Sequence, residues 1–378
     1  MTKLDFLFFD AGGGHRAAAT ALRLVIEQQQ RPWEVRLVNL QELLDPLDVA
    51  RKWFGVRLQD VYNLFLQKRW TLGSPQLLRV LQALIRLYHR DEVRLLEEYW
   101  RASRPDLVVS FIPHFNRALY ESLARACPKT PFVTVLTDLA DYPPHFWIER
   151  QRQYFVCGTA RAVEQALALG HEPERVFRVS GMILHPRFYQ PMDVDRKAER
   201  RRLGLDPSRP TGLVLFGGQG SAVMPTIVRR LDGSDLDLQL IAICGHNDAL
   251  RRQLTAMPTR ISLFVEGFTD RVPYYMYLSD FFIGKPGPGS ISEALAMKLP
   301  VVVECNAWTL PQERYNAEWI LEHGVGCVVR SFRAVAATVA ELLQPGKLAE
   351  FRARAAALNN RAVFEIPDIL ARILAAGP

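Results

Sequence analysis

Short apolar runs alternate with amphipathic stretches along the whole chain, and they do so in two series. Runs at 4–9, 34–38, 107–111, 132–136 and 154–156 read as strands, with helices between them. After Gly181 the sequence turns rich in proline and charge, through His185-Pro186, Lys197-Ala-Glu-Arg-Arg-Arg202, Pro207 and Pro210. A second series then runs through 212–216, 238–244, 261–265, 281–283, 301–303 and 327–329. Such alternation predicts parallel sheets covered by helices on both faces. The chain therefore reads as an α/β protein of two doubly wound, Rossmann-like domains, 1–183 and 184–347, facing a central cleft. Ligands of such sheets bind at the carboxyl ends of the strands. With 378 residues, 49% of them hydrophobic, the chain is long enough for two cores.

One loop of the second series carries more chemistry than the rest. Gly284-Lys-Pro-Gly-Pro-Gly-Ser-Ile-Ser-Glu-Ala-Leu295 follows the run at 281–283 and leads into a helix expected to end near Leu299. Gly287 and Gly289 let the backbone approach a ligand without side-chain obstruction. The free N–H groups of residues 290–292, Ser290 and Ile291 among them, aim the positive end of the helix at it. An anion of diphosphate size fits that pattern.

The first series opens with Asp10-Ala-Gly-Gly-Gly-His-Arg-Ala-Ala-Ala19, directly after its first strand. This loop lacks the Gly-x-Gly-x-x-Gly spacing of a dinucleotide site, and no Walker lysine and hydroxyl follow. Gly13 and Gly14 border His15, which stands at the mouth of the first helix and would face the cleft. By itself His15 reads equally as a helix-terminus residue and as a base. A matching loop, Phe216-Gly217-Gly218-Gln219-Gly220-Ser221, sits at the first strand-to-helix turn of the second series. Two such loops on one cleft point to a ligand between them.

Charge is distributed unevenly. Between Arg51 and Arg90 stand eight Lys or Arg residues against the single acid Asp60, which equals the chain's whole excess of +7. The segment also holds Trp53, Phe54, Tyr62, Phe65, Trp70 and Tyr88. From Gln76 to Arg90 the apolar residues Leu77, Leu81, Leu84 and Tyr88 recur at helical spacing, with Arg79, Arg86 and Arg90 on the opposite face. A basic amphipathic helix with interfacial aromatics suits an anionic membrane surface, where each cation adds about 1 kcal/mol. An ordinary packed helix with a solvated arginine face fits the same residues. No motif for binding nucleic acid accompanies the charge.

No apolar run approaches the roughly 20 residues needed to span a bilayer. The run at 4–9, bracketed by Asp5 and Asp10, reads as a first strand and not as a signal peptide. Cysteines 127, 157, 244, 305 and 327 are odd in number, dispersed and mostly embedded in apolar runs. They read as reduced core residues of a cytoplasmic protein. No Cys or His pair has zinc-site spacing. Asp-x-Asp at 193–195 and 235–237 falls in apparent linker or loop, so no metal is expected.

Gly-Gly-Gly-His-Arg-Ala-Ala (12–18), Gly-Gly-Gln-Gly (217–220), Cys-Gly-His-Asn (244–247), Glu-Gly-Phe (266–268), Lys-Pro-Gly-Pro-Gly-Ser-Ile-Ser-Glu-Ala-Leu (285–295) and Pro-Gln-Glu-Arg-Tyr-Asn (311–316) occur in that order. Together they resemble the monogalactosyldiacylglycerol synthases and their bacterial diacylglycerol glycosyltransferase relatives, a family related to MurG. The resemblance extends over nearly the whole chain and is strongest from Val265 to Val329. It implies a GT-B fold, a UDP-sugar donor held mainly by the carboxyl-terminal domain, and a lipid hydroxyl acceptor reached through the amino-terminal one. It also implies a final helix, 348–376, that crosses back to the first domain.

Carried over by position, the resemblance makes Glu293 the ligand of the ribose hydroxyls, although Ser290-Ile-Ser-Glu293 also fits a capping box. Gly267 and Phe268 would frame the uracil, with core packing as the other reading of Phe268. Gln312 and Glu313 would meet the sugar hydroxyls, or form a solvated loop. Asn316 keeps the family's spacing from Gln312. Three departures stand out. Pro311 replaces a usual glycine, His246 a usual Arg or Lys, and Tyr142-Pro143-Pro144 a Cys-His-Pro run whose histidine is lost.

The expected activity is therefore inverting transfer of a hexose, galactose or glucose, from a UDP-sugar to a membrane lipid, with diacylglycerol as the first choice. The site would work on the inner face of the cell membrane, without cofactor. His15, with an ordinary pKa near 6.5, serves as base. Asp138, in Leu136-Thr-Asp-Leu139, is the rival base, the group that orients His15, or a plain strand-end cap. Two alternatives remain open: a UDP-sugar epimerase of the same fold, and a non-catalytic protein that binds nucleotide-sugars or lipid surfaces.

Overall fold

The computed structural model describes residues 1–10, 13–45 and 74–377. The chain forms two compact units. The first comprises Met1–Pro186, Leu310–Gln312 and Asn360–Pro378, and the second Arg187–Thr309 and Glu313–Asn359.

The first unit is built on six parallel strands, β1 (Thr2–Phe8), β2 (Trp33–Asn39), β3 (Leu107–Ser110), β4 (Phe132–Val135), β5 (Tyr154–Cys157) and β6 (Val176–Arg178), in the order β2-β1-β3-β4-β5-β6. From β1 the chain turns to one side for β2 and to the other for β3, so the topological switch point lies between β1 and β3. Strands β3, β4 and β5 are buried throughout, which explains their legibility as unbroken apolar runs. In contrast, β6 has only three residues, none of them buried, and leaves no apolar run to read. Helix Gly14–Gln28 lays Ala18, Ala21, Leu22, Val25 and Ile26 against the sheet at three- and four-residue spacing.

Helix Ser74–Ser103 contains the 76–90 stretch and extends well beyond it. Its carboxyl half buries Val93, Leu96 and Trp100, whereas Arg90 is exposed. Trp53 and Trp70 lie outside the described residues, as do the side chains of Arg79 and Arg86. Among the described residues, no helix is long and apolar enough to cross a membrane.

The second unit repeats the plan with β7 (Thr211–Leu215), β8 (Gln239–Ile243), β9 (Leu263–Glu266), β10 (Phe281–Gly284), β11 (Val301–Glu304) and β12 (Gly326–Val329), ordered β12-β11-β10-β7-β8-β9 and all parallel. Its switch point falls between β7 and β10, which end side by side. A Cβ on Gly284 would stand 2.6 Å from the Leu215 carbonyl oxygen.

The charged stretch after Gly181 is more ordered than a linker. Asp195 caps helix Arg196–Arg202 by accepting from the Lys197 amide. Arg196 and Arg200 from that helix reach Asp280 at 2.7 Å each, and Arg352 reaches it at 3.3 Å. Burial alone would raise the Asp280 pKa, but Arg196, Arg200 and the Thr211 amide outweigh it and hold the carboxyl below its usual range. Asp237 pairs with Arg209 at 3.0 Å. Both Asp-x-Asp pairs thus include a residue with a structural partner.

The expected single helix at 348–376 is two helices, Lys347–Ala357 in the second unit and Ala362–Ala376 in the first. Asparagines make the break. Asn359 takes a left-handed φ of 41°, and the Asn360 side chain donates to the Met182 carbonyl at 2.8 Å while accepting the Ala362 amide at 3.1 Å.

Candidate functional site

The loop after β10 leads into helix Pro288–Ala296, whose N-cap is Gly287 with no side-chain cap. Proline suits the first helical position, where an N–H has no intrahelical partner. The Ile291 amide already bonds the Gly287 carbonyl at 3.1 Å. The amides left without a helical partner are therefore those of Gly289 and Ser290, earlier than the expected 290–292. This register also removes the capping-box reading of Glu293. Ser290 lies inside the first turn and is not the N-cap, so Glu293 stands a full turn too late to close the helix start.

Around this turn the structure adds one group that the sequence did not single out, Lys285, and gives Asn316 and Glu313 their places. Lys285 Nζ lies 3.0 Å from Glu313 Oε1. It is also 3.6 Å from where a Gly287 Cβ would stand, which sets a cation beside the free amides. Buried Asn316 donates to the Pro286 carbonyl at 2.8 Å and so pins the loop. Glu313 is buried within helix Pro311–His323, which rules out a solvated loop, while Gln312 clusters with the first unit.

Glu293 keeps partial exposure and forms no hydrogen bond among the described residues beyond its own backbone. Burial pushes its carboxyl up to about 7, opposed by the Arg187 guanidinium. A half-buried carboxyl of this kind can accept a hydrogen bond from a ligand hydroxyl.

On the other side of the switch point, the glycine loop after β7 packs backbone to backbone against the turn after β8. Gly245, at φ 61°, leaves no space for a side chain, since a Cβ there would stand 2.2 Å from the Gly218 carbonyl oxygen. The His246 amide donates to that same oxygen at 2.8 Å. Gly220, at φ 61°, would put a Cβ 2.7 Å from the Cys244 carbonyl. By contrast, side chains at Gly217, Gly218 and Gly289 would meet nothing within 4 Å, so these glycines border open space. The His246 ring stacks on Phe268 at 3.8 Å, and Phe268 is 63% exposed, which excludes core packing. Beside it, the Gly267 amide donates to Glu266 Oε1 at 2.9 Å.

The first unit gathers a different set at the carboxyl ends of β1, β3 and β4. Gly13 precedes helix Gly14–Gln28, and neither Gly13 nor Gly14 has a neighbour that would obstruct a Cβ. His15 Nδ1 lies 3.0 Å from Thr137 Oγ1. Burial lowers the His15 pKa to about 4, only partly offset by a hydrogen bond to the Phe111 backbone. This corrects the expectation of a histidine poised near 6.5: the ring is neutral across the physiological range. Asp138 is buried and accepts the Trp147 indole N–H at 2.8 Å, and the Trp147 ring lies 5.8 Å from that of His15. Thr137 and Trp147 carried no signal in the sequence, because only the fold brings them to His15. Among the described residues no group of three or more His, Cys, Asp or Glu side chains is arranged to hold a metal ion.

Two parallel doubly wound sheets of this order are the two-domain plan of the GT-B fold. The sequence pattern of the glycosyltransferase family 28 C-terminal domain matches residues 213–372. Over 354 residues the chain is 30% identical to the probable monogalactosyldiacylglycerol synthase 2, chloroplastic, of Oryza sativa subsp. japonica, covering 88% of this chain and 72% of that protein. It belongs to the monogalactosyldiacylglycerol synthase family. Among solved structures, MurG of Acinetobacter baumannii superposes with a TM-score of 0.64 at 13% identity, covering 98% of this chain and 99% of that one. Anabaena HepE in complex with UDP superposes with a TM-score of 0.58 at 16% identity, covering 99% and 100%.

Proposed function

We propose that the chain transfers a hexose from a UDP-sugar to the hydroxyl of a membrane lipid, diacylglycerol in the first instance, with inversion at the anomeric carbon. The observation that carries this reading is the pair of glycine loops at the ends of β7 and β10, where Gly217, Gly218 and Gly289 border open space, Lys285 stands beside Gly287, and burial raises the Glu293 carboxyl in the helix that follows. The diphosphate rests on the Gly289 and Ser290 amides beside Lys285, the ribose hydroxyls donate to Glu293, and the uracil lies by Gly267 and the His246–Phe268 stack. Gln312 and Glu313 serve the sugar hydroxyls.

Two sets of residues then carry the catalysis. In the first, neutral His15 takes the proton of the acceptor hydroxyl while its oxygen bonds to the anomeric carbon, and Asp138 helps to orient the base. In the second, the departing UDP oxygen keeps the electron pair of the broken bond. Aligned donors at that oxygen contribute roughly 3 to 4 kcal/mol each, against about 0.3 to 2 for a helix dipole, so the amides and Lys285 outweigh the dipole.

The basic segment ending at Arg90 is assigned to an anionic membrane surface on the cytoplasmic side, where the acceptor resides. Neutralising Arg79, Arg86 and Arg90 together is expected to lower co-sedimentation with anionic vesicles, and equal sedimentation removes the segment from this role. The decisive test of the activity is expression in a host that lacks glycolipids, followed by mass spectrometry and sugar analysis of its lipids. A new hexosyl lipid supports transfer. A free isomerised UDP-sugar with no lipid product indicates an epimerase, and UDP binding with neither product leaves a binding protein.

A further inference from the structure

We propose that Asp141 is the positioning residue of the His15–Asp138 site and acts through Trp147; this rests on the catalytic reading given above. Asp141 stands at 5% exposure, three residues beyond Asp138. Its carboxylate is spent on backbone: Oδ1 accepts the Trp147 amide at 2.6 Å and the Ile148 amide at 3.3 Å, and Oδ2 accepts the His145 amide at 2.9 Å. The turn it gathers includes His145 in the left-handed region at φ 65°, a conformation that costs energy and needs such support.

Asp141 is itself fixed from outside the turn. The Gln165 side chain accepts the Asp141 amide at 2.8 Å and donates to the Asp141 carbonyl at 3.0 Å. Helix Ala160–Ala168 thus anchors the carboxylate, and the carboxylate anchors the turn.

What the turn delivers is Trp147. Its side chain is wholly buried, its indole N–H meets Asp138 Oδ2 at 2.8 Å, and its ring edges the His15 ring at 5.8 Å. Tryptophan offers one donor and no acceptor, so a 2.8 Å contact with a carboxylate oxygen has a single sense. An indole in this place holds one oxygen of Asp138 and packs beside the His15 ring. A carboxylate used only to stabilise the loop would need no such link to the two groups at the strand ends. The sequence hid this arrangement because Asp141 and Trp147 read as a loop acid and a core aromatic.

The test uses the full chain with UDP-galactose and UDP-glucose as donors and dioleoylglycerol in anionic vesicles as acceptor. Trp147→Phe keeps the ring and deletes the indole N–H, and Asp141→Asn keeps the shape and replaces one acceptor by a donor. Each is expected to lower kcat roughly 10- to 100-fold, the scale on which small misplacements of catalytic groups act. KM for the donor and the affinity for UDP stay within about twofold, since both belong to the other unit. In an Asp138→Asn background, Trp147→Phe is expected to add less than about threefold, because the group it positions is already gone.

Three results are informative. Wild-type kcat in both Trp147→Phe and Asp141→Asn, with Asp138→Asn impaired, overturns the positioning role and leaves the catalytic reading standing. Full activity in both His15→Ala and Asp138→Asn overturns the catalytic reading, and the positioning role goes with it. If Trp147→Phe does not fold, Asp141→Asn and the retained UDP affinity decide: a fall in kcat and UDP affinity together marks Asp141 as merely structural and overturns the proposal.

Discussion

The two units build their strand-end sites from different materials. In the second unit the crevice is mostly backbone: the Gly289 and Ser290 amides, the Gly218 carbonyl against Gly245, and a loop pinned by Asn316. In the first unit the corresponding place is made of side chains, with His15 on Thr137, Asp138 on Trp147, and Trp147 held by the turn around Asp141. Backbone donors cost no rotamer entropy and suit a ligand part that never varies, such as a diphosphate. Side chains can present a base with a chosen protonation state, which proton transfer requires. Under the proposed function, binding belongs to the second set of residues and proton chemistry to the first.

The largest effect that could break this division is at His15. His15→Ala is expected to lower turnover by roughly 10²- to 10⁴-fold with UDP affinity nearly intact, measured as kcat beside calorimetric titration of UDP. Unchanged turnover removes His15 from the chemistry. The opposite pattern is expected at Gly245. A Cβ forced to within 2.2 Å of the Gly218 carbonyl must shift the glycine loop. Gly245→Ala should weaken UDP by roughly 10- to 100-fold, on the basis of about 1–3 kcal/mol of imposed strain. Its thermal melt separates a local change from loss of the unit.

Smaller effects sharpen the comparison. Lys285→Ala is expected to weaken UDP about tenfold, toward the low end for a charged hydrogen bond because Lys285 is 47% exposed. Little change in UDP affinity would leave the diphosphate to the amides alone. The pH dependences should diverge as well. Glu293, with its carboxyl pushed up to about 7, accepts ribose hydroxyls more strongly once ionised. UDP affinity should then fall about tenfold from pH 8 to pH 6, and the part owed to Glu293 should vanish in Glu293→Gln. His15, lowered to about 4, stays neutral over the same interval, so its contribution to kcat is flat there and declines only as pH approaches 4.

The same contrast explains what the sequence disclosed. Gly217, Gly220, Gly287 and Gly289 announce themselves because closely spaced glycines after an apolar run have few other uses. The free amides lie earlier than expected because Pro288, and not Ser290, starts the helix. Lys285 stayed hidden as one cation among many until the fold set it beside Gly287. In the first unit His15 was legible beside its glycines, whereas Thr137 and Trp147 meet it across more than 120 residues. Nothing local in a sequence encodes contacts at that separation. Strand β6 and the break at Asn359–Asn360 escaped for the same reason, being fixed by neighbours more than by their own composition.

A structure determined with UDP bound bears most directly on the division of labour. The expected result is a diphosphate within hydrogen-bond distance of the Gly289 and Ser290 amides, with Lys285 Nζ turned toward it and both ribose hydroxyls on the Glu293 carboxylate. UDP seated anywhere else, or a crevice at the ends of β7 and β10 that stays closed by protein side chains, contradicts it.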